Sequence, residues 1–207
     1  MPHETDDNAA TELAIGAITR EHQLLEAMLG TLQMLIHDIE HLQSEPDFPL
    51  LASELYFIED FQDGHHHPLE EEYLFKVLRR RAPALIPILD ELHTEHARDS
   101  AMIAEIDHAL VRYHGGAHDG FARFKSAVNR YSATTLGHLR MEATLQEPAR
   151  ACLTTEEWRD MARAFEANGR SLNHCVPRDE LQKISHRIMI QLPRKLRYPA
   201  LRETHLL

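Results

Sequence analysis

Apolar residues recur along this chain at three- and four-residue steps, a period that an α-helix satisfies and a β-strand does not. From Leu13 onward, Ile18, Leu25, Met28, Leu32, Leu35, Ile39 and Leu42 form one such stripe. The segment Ser44-Glu45-Pro46-Asp47-Phe48-Pro49 ends it, because proline has no N–H for the helical ladder and its ring clashes with the preceding turn. A second stripe runs from Leu50 to Arg80 through Leu51, Leu55, Ile58, Phe61, Leu74 and Leu78, with Pro68 inside it predicting a kink or local rearrangement. Arg81-Ala82-Pro83 closes that helix, and a third covers Ala84 to Tyr113 and stops at Gly115-Gly116. The fourth runs from Asp119 to Ala151 on Phe121, Phe124, Val128, Tyr131, Leu136, Leu139 and Leu145. Long helices joined by short breaks pack as antiparallel neighbours, so the predicted fold is all-α, an up-down-up-down four-helix bundle.

Additional short C-terminal helices are expected beyond the bundle. Thr154 and Glu157 form a capping box for a fifth helix through Asn168, anchored by Trp158 and Phe165. A further short helix is expected from Asp179 to Ile190, before a basic, proline-punctuated end. The resulting division is a polar tail over residues 1–11, a bundle domain over 12–172 and a helical extension with tail over 173–207.

A net charge of −11, from 33 acidic and 22 basic residues, argues against a nucleic-acid-binding surface. The local basic run Arg79-Arg80-Arg81 reads as a positive helix end, and the run around Arg194-Lys195 as a solvated tail. No apolar stretch is long enough to span a membrane, and residues Met1 to Asn8 lack the apolar core of a signal peptide, so the expected location is cytoplasmic. In that setting Cys152 and Cys175 are expected to be reduced and buried rather than bridged.

Histidine is in excess: 16 are present, three of them consecutive at His65-His66-His67. Two helices repeat one pattern, His66 with Glu70 and His138 with Glu142, each pair four residues apart and hence on one helical face. Such pairs also arise by chance, and surface histidines account for most of the excess. Height along the bundle separates the two cases. His66 and His96 stand nearly equidistant from the turn at Ala82, and His96 and His138 from the turn at Gly116, both to within about 3 Å at 1.5 Å rise per residue. For His22 and His66 about the turn at Asp47 the mismatch is about 9 Å, which a non-helical connection absorbs. His22, His66, His96 and His138 therefore share a layer, with Glu70 and Glu142 one turn away. Burying these groups without a cation is costly, and two divalent metals bridged by the glutamates resolve that cost. Mixed nitrogen and oxygen donors with open positions suit iron or manganese better than structural zinc, although zinc stays admissible. Tyr56 and Tyr131 lie upstream of His66 and His138 and read as core residues or as hydroxyls near the metals. Met28, Met34, Met102 and Met141 read as core fillers.

The segments Ile18-Thr19-Arg20-Glu21-His22, Phe61 through His66 to Phe75, Leu92-His93-Thr94-Glu95-His96 and His138-Leu139-Arg140-Met141-Glu142 together resemble the hemerythrin-like family with its His-His-Glu cation-binding domain. The resemblance implies a four-helix bundle holding two iron ions, with ligands at His22, His66, Glu70, His96, His138 and Glu142. The triple histidine also allows the register His67 with Glu71; counting back from Leu74-Phe75, as the family pattern does, favours His66 with Glu70. Oxygen carriers of the family draw two histidines four residues apart from the third helix. Here position 97 is Ala and only His93 stands nearby, so a four-histidine site with extra open positions is expected. Ala143 stands where many relatives carry a second acid. The implied function is a non-haem di-iron protein that binds or senses dioxygen, nitric oxide or iron. The alternative is a di-iron enzyme, an oxidase or an iron-sulfur or nitrosative damage repair factor. A homodimer, and a partner for the basic tail, are further expectations.

Overall fold

In the computed structural model of the protein, residues 3–166 are described, and all their regular structure is helical. The helices are α1 (His3–His41), α2 (Phe48–Phe61), α3 (His67–Leu69), α4 (Lys76–Arg81), α5 (Ile86–His114), α6 (Gly120–Ala143), α7 (Gln146–Cys152) and α8 (Thr155–Glu166). The first starts at His3, ahead of the stripe at Leu13. α2, α3 and α4 are one continuous run joined by two π-helical turns, Gln62–His66 and Glu70–Phe75. The rearrangement expected beside Pro68 takes that form. His67 N–H reaches back five residues to the Gln62 carbonyl, and Lys76 N–H to Glu71. Such wide turns occur frequently at functional sites.

The helix ends follow local chemistry. Asp47 caps α2 by accepting the Leu50 N–H at 3.0 Å, with Pro49 in the first turn where its missing N–H costs nothing. After α5, Gly116 takes φ +75°, and the Gly116 and Ala117 N–H groups bond the Tyr113 and Arg112 carbonyls. Gly120 opens α6 so close to α5 that a Cβ there would lie 2.6 Å from Tyr113 Cα. At α8, Thr154 N–H donates to Glu157 at 2.8 Å and Glu157 N–H to the Thr154 hydroxyl at 3.3 Å, the expected capping box.

One element departs from expectation. The fourth helix ends at Ala143 rather than Ala151, and the chain turns at Thr144 and Leu145 before resuming as α7. Pro148 supplies the reason, since it cannot donate to the Thr144 carbonyl as an uninterrupted helix requires. The expected helix over Asp179–Ile190, Cys175, the tail and the last residues of the fifth helix lie outside the described residues. Cys152 is a free thiol and only half-buried.

α5 packs along α6, and α1 along α8, with α2 against α5. Two apolar clusters result. One gathers Leu25, Leu32, Leu55, Phe57, Ile106, Phe124 and Tyr131, with Met34 and Met102 against it. The other gathers Ala14, Ile18, Leu74, Phe75, Leu92, Trp158 and Phe165, with Met141 against it. Each fully buried Leu or Phe contributes about 1.5–3 kcal/mol. Between the clusters, all four long helical runs carry polar residues inward: Glu21, His66, Glu70, His96, Asp99, His138 and Glu142 are buried. The arginine run is spent on ion pairs, Arg79 with Asp90 at 2.5 Å and Arg81 with Glu157 at 2.9 Å, and forms no free patch. No helix among the described residues is long and apolar enough to cross a membrane.

Candidate metal centre

The buried polar layer brings the six sequence-derived residues into two overlapping groups. Donor atoms of His22, His66, Glu70 and Glu142 all lie within 4.8 Å of one another, and so do those of Glu70, His96, His138 and Glu142. The two glutamates belong to both groups. His66 Nε2 stands 3.2 Å from Glu70 Oε1, and His138 Nε2 stands 3.4 Å from Glu142 Oε1. His22 Nε2 lies between the carboxylates, 3.4 Å from Glu70 Oε1 and 3.3 Å from Glu142 Oε2.

Three further carboxylates stand behind the histidines. His66 Nδ1 donates to Glu21 at 2.9 Å, His96 Nδ1 to Glu71 at 3.0 Å, and His138 Nδ1 to Glu95 at 2.8 Å. Because a carboxylate only accepts, each ring is held with its proton on Nδ1 and its Nε2 lone pair facing the layer when the imidazole is neutral. Each acid sits beside one layer residue in sequence but serves a histidine on another helical run. Glu21 precedes His22 and holds His66, and Glu95 precedes His96 and holds His138. The sequence reading did not assign Glu21 or Glu95 a role and considered Glu71 only as a ligand paired with His67, although their adjacency to the layer residues was a usable signal.

The donor set fits a cation. Glu70 Oε2, both oxygens of Glu142 and His66 Nε2 are buried without a hydrogen-bond partner among the described residues. His96 Nε2 and His138 Nε2 face each other at 3.0 Å, a contact that needs a proton or a cation beside it. Orphaned buried acceptors cost several kcal/mol, which coordination removes. The electrostatics agree. Burial pushes Glu21 up, but hydrogen bonds from His65 and His66 hold it down at about 2. Burial likewise opposes charge on His138, yet the Glu142 carboxylate draws its pKa up to about 9. In the Glu70/Glu142 pair, burial and the Glu70 charge raise Glu142, while Glu70 stays ionised against its own burial through His66 and His22.

Of the alternative ligands, His67 brings a donor atom within 4.8 Å of those of His96 and His138. Glu71 pairs with His96 and His93, not with His67, and the His93 side chain is 61% exposed. His67 stacks on His96 with ring centroids 3.9 Å apart, and burial holds it neutral with a pKa of about 4. Tyr56 is 51% exposed and belongs neither to the core nor to the layer; ten residues before His66, it stands about 80° away from it even on a regular helix. Tyr131 is buried; its hydroxyl donates to Asp99 at 3.1 Å and accepts from Gln62 at 2.5 Å. Gln62 also donates to Asp99, whose pKa burial and Asp63 push up to about 6.

The two sides of the layer differ. Next to His22, a void of about 20 Å3 is walled by Ile18, Leu74, Leu145 and Trp158. Next to His96 and His138, a cavity of about 360 Å3 reaches exposed Arg98 and Arg130.

A helical bundle with a buried histidine–glutamate layer, two of whose carboxylates serve two donor groups, defines a class of cation-binding bundle proteins. Within that class the chain belongs to the hemerythrin family, the hemerythrin HHE cation-binding domain, whose pattern matches residues 13–149. It is also similar to uncharacterized proteins of Mycobacterium bovis and Mycobacterium tuberculosis, 28% identical over 169 residues. That similarity covers 80% of this chain and 64% of each relative, so the chain spans less than two thirds of their length.

Proposed function

We propose that the protein holds two iron ions through His22, His66, Glu70, His96, His138 and Glu142, and uses them to bind or sense dioxygen, nitric oxide or iron. The observation that carries this reading is the sharing of Glu70 and Glu142 between two donor groups, with orphaned carboxylate oxygens between them. A bound iron pair would supply open coordination positions and redox capacity. His22 and His66 serve one position and His96 and His138 the other, while Glu21, Glu71 and Glu95 fix ring orientation. Trp158, Ile18 and Leu74 keep water from the His22 side. The cavity beside His96 and His138 gives a small ligand its approach. With one histidine from α5 in the layer, open positions outnumber those of an oxygen carrier, which favours sensing or handling over transport. The expected setting is cytoplasmic.

The enzymatic alternative rests on one observation, the Gln62–Asp99–Tyr131 hydrogen-bonded group in and beside the cavity, which could move a proton. Turnover of oxygen beyond the metal stoichiometry would establish it. The test of the main reading is anaerobic loading with iron(II), metal analysis and a visible spectrum before and after air. Expected are about two ions per chain and a spectral change that the His66→Ala/His138→Ala double variant loses. Fewer than about one ion per chain, or the same spectrum in the variant, would sink it.

A further inference from the structure

A third set of donors adjoins the layer on its cavity side. Ligand atoms of Asp63, His67 and Asp99 lie within 4.8 Å of one another, and those of His67, His96 and His138 form another such group. His67 belongs to both, so donors run without a gap from the acids to the layer. Asp63 and His67 are four residues apart, the spacing that presents two donors to one point, and Asp99 comes from α5 one turn after His96. His67 is 7% exposed, and its Nδ1 stands 3.6 Å from Asp63 Oδ1. Asp99, His67 and Gln62 line the 360 Å3 cavity, and Arg130, also in its wall, is paired with Glu105 at 2.5 Å.

His67 does not itself complete the centre. Its ring is parallel to that of His96 to within 15°, so the two sets of in-plane lone pairs do not converge on one ion. We propose that Asp63, His67 and Asp99 form a third, transient position for a divalent transition-metal ion, through which metal passes from the cavity to His96 and His138. One nitrogen and two carboxylates suit iron(II), manganese(II) or cobalt(II), and two of the three donors, His67 and Asp99, stand in the cavity wall. The inference rests on the dinuclear reading above.

Cobalt(II) tests it on the full chain, because its visible absorption reports binding without any reaction. Stopped-flow loading and end-point stoichiometry are measured for the wild type, Asp63→Asn/Asp99→Asn and His67→Gln. Expected is the same end point, about two ions per chain, in all three, with loading at least about ten-fold slower in both variants. Unchanged loading rates overturn the third position. So does an end point near one ion in His67→Gln alone, which would make His67 a ligand of the centre. If the wild type takes up no cobalt, the dinuclear reading itself fails, and that result is distinct from a change of rate.

Discussion

Glu21 Oε2 accepts the Nδ1–H of His66 at 2.9 Å, while Glu21 Oε1 lies 3.0 Å from His65 Nε2, so one buried carboxylate holds two of the three consecutive histidines. The triple histidine is thus divided among three tasks: His65 on Glu21, His66 toward the layer and His67 toward the cavity.

Glu21→Gln removes the charge that orients His66 while keeping the shape. Partners behind metal-ligating histidines typically hold about 10- to 100-fold in affinity, and a weakening of that size is expected. Competition against a chelator, with iron(II) under anaerobic conditions, measures it; unchanged affinity would show that Glu21 only fills space.

Glu54 carries a second, different prediction. It is fully buried in α2, with both carboxylate oxygens lacking a hydrogen-bond partner among the described residues, and burial raises its pKa well above the usual carboxylate range. The native state therefore keeps the Glu54 proton to higher pH than the unfolded chain does, and the Glu54 contribution to stability falls as pH rises above about 4.5. Glu54→Met should be more stable than the wild type near neutrality. Their difference should grow with pH by up to about 1.4 kcal/mol per unit until Glu54 ionises in the fold. Urea melts of both proteins from pH 4 to pH 8 check the slope, and a constant difference would contradict it.

Gly120→Ala places a methyl group 2.6 Å from Tyr113 Cα, a backbone atom that cannot swing aside. The ends of α5 and α6 must separate, at a cost of about 1–3 kcal/mol. A lowered urea midpoint with unchanged metal stoichiometry is the expected outcome, since the turn lies far along α6 from His138.

Metal loading should stabilise the fold, because the orphaned atoms of Glu70, Glu142 and His66 gain partners only in the folded chain. At a free ion concentration about 100 times the dissociation constant, the gain is about 2.7 kcal/mol. A chelator should lower the thermal midpoint of the wild type and leave the His66→Ala/His138→Ala variant unmoved.

Much of the fold was legible because helical periodicity and its breaks are local. The stripes through Leu25, Leu55 and Val128 and the Thr154/Glu157 box need only neighbouring residues. The early end of α6 was legible in principle at Pro148 and was hidden by the stripe running on to Leu145. The shared height of the histidines followed from counting residues about each turn. The Tyr56 reading failed because the ten residues from Tyr56 to His66 are not a whole number of helical turns.

By itself, then, the sequence determined an all-α chain and the four histidines that share a layer, with Glu70 and Glu142 one turn away. Spacing along helices depends on backbone geometry alone, and that geometry is nearly universal. Only the tertiary structure decided which carboxylates stand behind which histidines, that Glu70 and Glu142 serve both donor groups, and that the cavity opens beside His96 and His138. Those relationships join residues on different helices, and they are set by rotation about the helix axes and by side-chain direction, which no interval between residues encodes.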